Sequence, residues 1–451
     1  MKKILLLTFL AAATVGRAQT NNAPLTLDEA LSLAVRQSKA AVLGRLNVEI
    51  ADAELDAARR LRYPEIRAQG AALHLNDPME VTVGRGSLTN ILNQTAAELG
   101  IGPLGIDQFP TNNLSLARGS TNPRFGAVTV AQPLTQLWRI GSGVRAAQAG
   151  LEEAQRESEH IDAKLRFAVE QLFVGLLVQS RRTLEKEATV AWEERRLRDA
   201  ENALKSGELL DESVLGSRAA VIDARAELTR SQQNYARLSL QLADLIGRSG
   251  ADDLVVAESL PVRNDQPVDY WTAQAMNNPE YRVAAATVGK ADAGVRAARQ
   301  AYIPEVSLVG GASRQDGIPL VAETNGVVGV TLDWNVFDFG RRRADVTRAA
   351  ARHRAAAVNR DRLQEDAARQ IRLAHQDLVF ADEQIALARQ AVAFRRRAAE
   401  LAHQSAANGL ALETAALEAD AELRKAEADL TGATSQRHVA LLHLHFLAGK
   451  L

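Results

Sequence analysis

The stretch ADAELDAARRLRYPE at residues 51–65 returns as ADAGVRAARQAYIPE at residues 291–305. Asp52 is matched by Asp292, Ala57 by Ala297, Arg59 by Arg299 and Pro64 by Pro304, at a constant offset. In both copies an alanine-rich, charged, helix-forming run meets a proline. Proline lacks a backbone donor and disfavours helix in the residue before it, so both runs stop there. A second echo lies farther on, where Lys205-Ser206-Gly207 stands against Ala407-Asn408-Gly409. Each glycine is followed four positions later by an acid, Asp211 or Glu413, and eight later by Leu215 or Leu417. The repeating unit is about 200 residues, far longer than the ~20–50 of a solenoid repeat, which makes this a duplicated domain.

Outward from that repeat, both halves keep one order. A helical segment (residues 27–61 and 268–301) runs to the proline. A strand follows (66–75 and 306–310), then a polar connection, then a second strand (127–134 and 327–337). Val128 and Val130 in the first half, and Val328, Val330 and Leu332 in the second, recur at every other position, the period of a pleated strand. A long helix comes next (142–203 and 341–406), with no proline and few glycines. At ~1.5 Å per residue each would reach roughly 90–100 Å, against the ~11–12 residues of an average helix. Gly207 and Gly409 then reverse the chain into closing helices at 213–246 and 412–447.

These helices carry a seam. Ile371, Ala374, Leu378, Ala381, Ile385, Ala388 and Val392 advance in alternating steps of three and four. Leu412, Ala416, Ala419, Leu423, Ala426, Leu430 and Ala433 do the same, as do Leu228, Ser231, Tyr235, Leu238, Leu242 and Leu245. That is coiled-coil spacing, with alanines that let neighbouring helices approach closely. The other faces are crowded with Arg, Glu, Asp and Gln, so the helices are expected to form an extended wall rather than a packed globule. The expected organisation is residues 1–18 as a signal peptide, 19–246 as the first repeat, 247–267 as a linker and 268–451 as the second repeat. Residues 76–123, rich in Gly, Asn, Pro, Ser and Thr, are expected to be a long loop without regular structure, a feature more often functional or mobile than not.

The signal peptide rests on Lys2 and Lys3, the apolar run Ile4–Ala13, and the small residues Gly16 and Ala18 before Gln19. Read as a membrane anchor, the same run is shorter than the ~18–20 residues a spanning helix needs. No other run reaches that length, so any membrane insertion must use β-strands. Four strands cannot close a barrel, and an open sheet edge is not tolerated in lipid, so several chains must pool their strands. Three chains would supply twelve. Tyr63, Trp138, Tyr302, Trp334, Phe337 and Phe339 gather at one end of the strands, which fits an aromatic belt at a membrane–water interface. Ordinary packing at a helix–strand junction accounts for them as well.

The 451 residues include no cysteine, and the formal net charge is −1. No lipid-anchoring cysteine is therefore available, and no basic face points to nucleic acid. Asp338-Phe339-Gly340 matches a kinase triplet, but no glycine-rich or catalytic loop accompanies it. His438, His443 and His445 scatter around a helix and read as ordinary helix residues. With no nucleophile–base pair and no phosphate loop, the sequence predicts no catalytic residues, no metal and no cofactor.

The signal peptide, the duplicated helix–Pro–strand–strand–long helix–Gly turn–helix order, the Leu25-Thr26-Leu27-Asp28-Glu29-Ala30-Leu31 opening and the Trp334–Arg341 junction together resemble the TolC family of outer-membrane efflux proteins. The first-half junction, from Gln132-Pro133-Leu134 to Gly141, is similar to that family's proline–leucine form. The resemblance implies a mixed fold, mainly α. Long coiled-coil helices would form a periplasmic α-barrel, and four strands per chain would join a trimeric, twelve-stranded transmembrane β-barrel. It implies a homotrimer in outer-membrane lipid that docks a periplasmic adaptor and an inner-membrane pump, and serves as a passive exit duct for efflux or type I secretion. Pro64, Pro304, Gly141 and Gly340 would mark the barrel-to-tunnel junction. The tips Lys205, Ser206, Gly207, Glu208, Leu209, Asn408, Gly409 and Leu410 would meet the adaptor, although a tight helix reversal alone also explains their glycines. Asp211, Glu212, Glu413 and Glu418 would ring the aperture, or else serve as acids favourable to their helix dipoles. The competing reading is a periplasmic coiled-coil adaptor or scaffold, which requires an inner-membrane anchor or a lipidated cysteine.

Overall fold

A computed structural model describes residues 24–248, 254–258 and 260–451; the expected signal peptide, residues 1–18, lies outside them. The described chain is mainly helical, with two sheets. Its elements run α1 (Leu27–Gln37), α2 (Lys39–Arg60), β1 (Glu65–Ala72), β2 (Glu80–Val83), α3 (Ser87–Glu98), β3 (Leu114–Arg118), β4 (Arg124–Pro133), α4 (Gln136–Lys205) and α5 (Asp211–Leu245) in the first half. The second half gives α6 (Val268–Ala273), a short 3-10 turn, α7 (Pro279–Gln300), β5 (Glu305–Asp316), β6 (Thr324–Asp333), α8 (Arg341–Ala407) and α9 (Glu413–Leu447). The chain divides into two compact units, one holding Asn47–Gln155 and Val283–Asp361, the other holding the residues through Leu46, Arg156–Arg282 and Arg362–Leu451.

Four local findings revise the sequence expectations. The residues expected to be a structureless loop, 76–123, contain β2, α3 and β3. Thr and Asn side chains organise them: Thr89 Oγ1 donates to the Asp107 carbonyl at 2.9 Å and accepts from the Phe109 amide at 2.7 Å. The first helix is broken at Ser38, and its counterpart at Asn278, whose side chain accepts from the Glu280 and Tyr281 amides at the start of α7. β5 extends to Asp316 while β6 stops at Asp333, so Trp334 and Phe337 stand beyond the strand rather than in it. α4 begins at Gln136, which places Gly141 inside a helix and not at a junction.

In the first unit the main sheet is antiparallel, in the order β1-β4-β5-β6. Its register decides what each face presents. Ile66 lies opposite Val130 and Ala68 opposite Val128. Val128 is opposite Ala312, and Gln132 is opposite Leu308. Leu308 is opposite Val330, Val306 opposite Leu332 and Gly310 opposite Val328. Successive strand residues point to opposite faces, so one face collects Ile66, Val128, Val130, Leu308, Val328, Val330 and Leu332. The other face collects Glu65, Arg67, Gln69, Thr129, Ser313, Asn325, Thr331 and Asp333, with Phe125, Val309 and Val327 among them.

The second unit packs α5 against α4 and α9 against α8, with a short helix sealing each pair. In one cluster Leu27, Ala30 and Ala34 of α1 are buried with Val169, Phe173 and Leu176 of α4 and Leu242 of α5. In the other, Trp271 of α6 is buried with Ile371, Ala374 and Leu378 of α8 and Leu441, Leu444 and Leu447 of α9. The α8 seam read from the sequence lies on the buried side through Ile371, Ala374, Leu378, Ala381, Ile385 and Val392. Among the described residues, no helix is long and apolar enough to cross a membrane.

Candidate functional site

The sheet's apolar face is uncovered. Val328 is 83% exposed and Ile66 71%, and Val330, Leu332, Val128 and Leu308 are exposed as well. A monomeric soluble protein rarely leaves a contiguous patch of this kind in water. The two outer strands, β1 and β6, each have one neighbour only, so each leaves one row of backbone donors and acceptors unpaired within the sheet. A lone charged strand edge is a common way to block further pairing, but β6 (TNGVVGVTLD) carries no lysine, arginine or proline to do so.

At one end of this sheet the sequence-selected aromatics stand together and in the open. Tyr63, Trp138, Trp334, Phe337 and Phe339 are exposed, Phe339 to 91%. The Phe337 and Phe339 rings meet edge-on with centroids 4.7 Å apart, and the Arg342 guanidinium covers the Tyr302 ring at 5.0 Å. Packing at a buried junction therefore does not account for the exposed members. Phe339 and Gly340 take consecutive left-handed conformations, φ 53° and 89°. This turn is held by Asp338, whose Oδ1 accepts from the Gly340 amide at 3.1 Å and whose Oδ2 accepts from the Arg342 amide and Nε at 3.0 and 2.7 Å. Desolvation disfavours the charged carboxyl, but the Arg342 side-chain hydrogen bond and the two backbone donors outweigh it and hold Asp338 below the usual carboxylate range. Asp338→Ala removes the bonds to the Gly340 and Arg342 amides at the start of α8 and is expected to lower the thermal unfolding midpoint.

Pro64 and Pro304 immediately precede β1 and β5. The polar groups that stitch these turns were not evident from the sequence. Thr135 Oγ1 donates to the Pro304 carbonyl at 2.6 Å and accepts from the Val306 amide at 2.8 Å. Gln132 Nε2 donates to the Arg62 carbonyl at 3.0 Å. Glu305 accepts from Gln136 and forms an ion pair with Arg139.

The helix reversals lie in the other unit. Gly207 and Gly409 have φ 79° and 69°. In each, the following amide reaches back five residues, Glu208 to the Ala203 carbonyl at 2.9 Å and Leu410 to the Ser405 carbonyl at 2.8 Å. That is the glycine-terminated helix cap in which only glycine is unstrained. Gly207→Val or Gly409→Val is expected to cost roughly 1–2 kcal/mol per site, measured as a lowered unfolding midpoint. Lys205, Ser206, Glu208, Leu209 and Asn408 are exposed around these caps. So are three leucines, Leu210 at 75%, Leu410 at 81% and Leu412 at 70%. Leu210 was not singled out in the sequence, because position within a turn carries no periodic signal, and Leu412, read there as the first position of the α9 seam, instead stands exposed just before that helix begins. Asp211 and Glu212 fall in the first turn of α5 and Glu413 in that of α9, where negative charge is favoured by the helix dipole. Glu413 pairs with Arg195 at 2.7 Å, and Arg195 also holds Asp199 at 3.2 Å. Asp211, Glu212 and Glu418 are exposed.

Comparison with known proteins fits this arrangement. The family described as outer membrane efflux protein matches residues 273–450. No curated protein sequence matches. Among solved structures, the CmeC outer membrane channel of Campylobacter jejuni is similar at a TM-score of 0.73 and 15% identity, covering 100% of this chain and 94% of that one. The outer membrane protein VceC of Vibrio cholerae is similar at 0.70 and 17%, covering 94% and 96%. The MtrE outer membrane channel of Neisseria gonorrhoeae, in its open state, is similar at 0.63 and 16%, covering 94% and 88%. Residues 273–450 thus match the outer membrane efflux protein family, and the chain shares the fold of the solved outer-membrane channels.

Proposed function

We propose that this chain is one subunit of a homotrimeric exit duct, seated in the outer membrane and extending into the periplasm. Three copies pool their four strands into a closed twelve-stranded barrel. The observation that carries this reading is the exposed apolar face of a four-stranded sheet whose two edges lack partners. In lipid the face is solvated by acyl chains, and closure pairs both edges, which removes the backbone groups that hydrocarbon cannot satisfy. The antiparallel order fits. With an even number of strands, β6 of one copy meets β1 of the next running in the opposite direction. The mostly polar face then lines the pore. The duct performs no reaction of its own and takes no cofactor, and transport energy comes from an inner-membrane pump joined through a periplasmic adaptor. A scaffold that never enters lipid leaves the exposed valines and leucines unexplained.

The test is the mass of the protein extracted in detergent from purified outer membranes, measured by light scattering. The expected mass is three chains, with ion conductance when the protein is placed in planar bilayers. A chain that stays monomeric and soluble without detergent overturns the reading.

The two tips supply the adaptor contact in this proposal. Leu210, Leu410 and Leu412 are apolar side chains held in water at rigid, glycine-capped turns, which suits them to act as knobs for a partner's groove. Leu410→Ser is expected to leave the trimer intact while lowering recovery of adaptor in crosslinked complexes and sensitising cells to exported compounds. Unchanged adaptor recovery would assign the tips to chain reversal alone.

A further inference from the structure

The segment between β1 and β4 does more than connect them. Beyond Ala72 the edge strand continues, with the Leu73 amide bonded to the Pro123 carbonyl at 3.0 Å and the Leu75 amide to the Thr121 carbonyl at 2.7 Å. It then leads into the β2–β3 ribbon and α3. This insert therefore rises from the β1 side of the sheet, the side with a free edge. It is apolar and open: Leu73, Met79 and Ile91 are at least half exposed. Arg85 and Arg118 flank a stretch, Gly86 to Ala117, whose only charged residues are Glu98 and Asp107.

At the same end of the sheet the β5–β6 turn presents Gly317-Ile318-Pro319-Leu320-Val321, and its Gly317 carbonyl accepts from the Ser120 amide at the base of its own chain's insert at 2.9 Å. Leu320 is 74% exposed and Val321 48%. Leu320 also takes a left-handed φ of 61°, a conformation that L-residues other than glycine, asparagine and aspartate seldom adopt. A strained backbone that holds a leucine out in water is an unfavourable arrangement for an isolated chain, and such strain clusters at functional contacts.

We propose that these two features are halves of one intersubunit clasp, in which Leu320 and Val321 of one copy seat on the insert of the next, against Leu73 and Met79. The inference rests on the trimeric duct reading. When β6 of one copy pairs with β1 of its neighbour, the β5–β6 turn is brought beside the neighbour's continuation of β1. The occupant of the apolar insert is thus a second copy of this chain. The clasp covers both apolar surfaces and latches the barrel at the end opposite the aromatic cluster.

The natural chain has no cysteine, which gives a clean background. Leu73→Cys and Leu320→Cys are placed in separate, differently tagged full-length copies and co-expressed. The outer membranes are then treated with a short thiol-reactive crosslinker. The expected product is a two-chain adduct carrying both tags, absent when either variant is expressed alone. Should the Leu320→Cys chain fail to reach the membrane, Val321→Cys carries the same test. Light scattering on the same preparation separates the two ideas. A trimeric mass without a mixed-tag adduct overturns the clasp alone, whereas a monomeric mass overturns the duct and the clasp together.

Discussion

Glu170→Ala is expected to destabilise the helical unit by about 3–5 kcal/mol, the range measured when one partner of a buried ion pair is removed. The Glu170 side chain is 1% exposed and accepts from Arg263 Nη2 at 2.9 and 2.7 Å and lies 2.6 Å from His438 Nε2. These three residues come from α4, the segment between α5 and α6, and α9, so one carboxylate ties together three parts of the chain far apart in sequence. Further bonds hold described residues of the segment that leads from α5 to α6. Tyr235 Oη donates to the Leu254 carbonyl at 2.7 Å, the Leu254 amide donates to Ser239 Oγ at 2.9 Å, and Arg181 pairs with Glu258 at 2.7 Å. Without Glu170, Arg263 would keep a largely buried charge with no counterion, which dominates the expected loss.

The pH dependence has a definite sign. Desolvation pushes the Glu170 carboxyl up, but the hydrogen bonds from His438 and Arg263 and their charges outweigh it and hold its folded pKa below the ordinary value. A carboxylate depressed on folding stabilises the protein above its unfolded pKa, about 4.3 for glutamate, and loses that contribution as pH falls through the lower folded value. The unfolding midpoints of the natural chain and of Glu170→Gln are therefore expected to stay well separated above about pH 5 and to converge in stronger acid. A separation that widens on acidification would contradict this assignment of charge.

Much of the architecture was legible because it rests on periodicity and punctuation. Steps of three and four fixed the α8 seam, whose Ile371, Leu378 and Ile385 are buried. The prolines at 64 and 304 marked where helix gives way to strand, and Gly207 and Gly409 marked the reversals. What stayed hidden depends on contacts between residues distant in sequence. Glu170, Arg263 and His438 are separated by 93 and 268 positions, and no spacing rule joins them. His438, read as an ordinary helix residue, instead borders a buried carboxylate. The insert at 76–123 was read as structureless because its order comes from Thr89 bonding to residues near 107–109, not from a periodic pattern. Strand alternation was visible in β4 and β6 one strand at a time, but which alternate set shared a face with which required the register.

That register makes the strongest test of the membrane reading, a pair of substitutions one residue apart. Val330 lies on the apolar face opposite Leu308, and Thr331 on the polar face opposite Ser307. Val330→Arg would place a guanidinium toward acyl chains, at a cost of about 2–4 kcal/mol near the bilayer midplane and less toward either interface. Because three copies carry the change, the penalty to the assembled barrel is threefold, enough to deplete the trimer from the outer membrane. Thr331→Arg adds the same charge toward the aqueous pore, so the trimer is expected to assemble in normal amount, with single-channel conductance and ion selectivity altered instead. Quantifying trimer in outer-membrane fractions and recording conductance from each variant checks both halves. Equal depletion by the two substitutions would mean that the faces are not divided between lipid and water, and the barrel assignment would fall. Normal assembly of Val330→Arg would sink it in the same way, because a soluble sheet accepts an exposed arginine at a 64%-exposed valine without penalty.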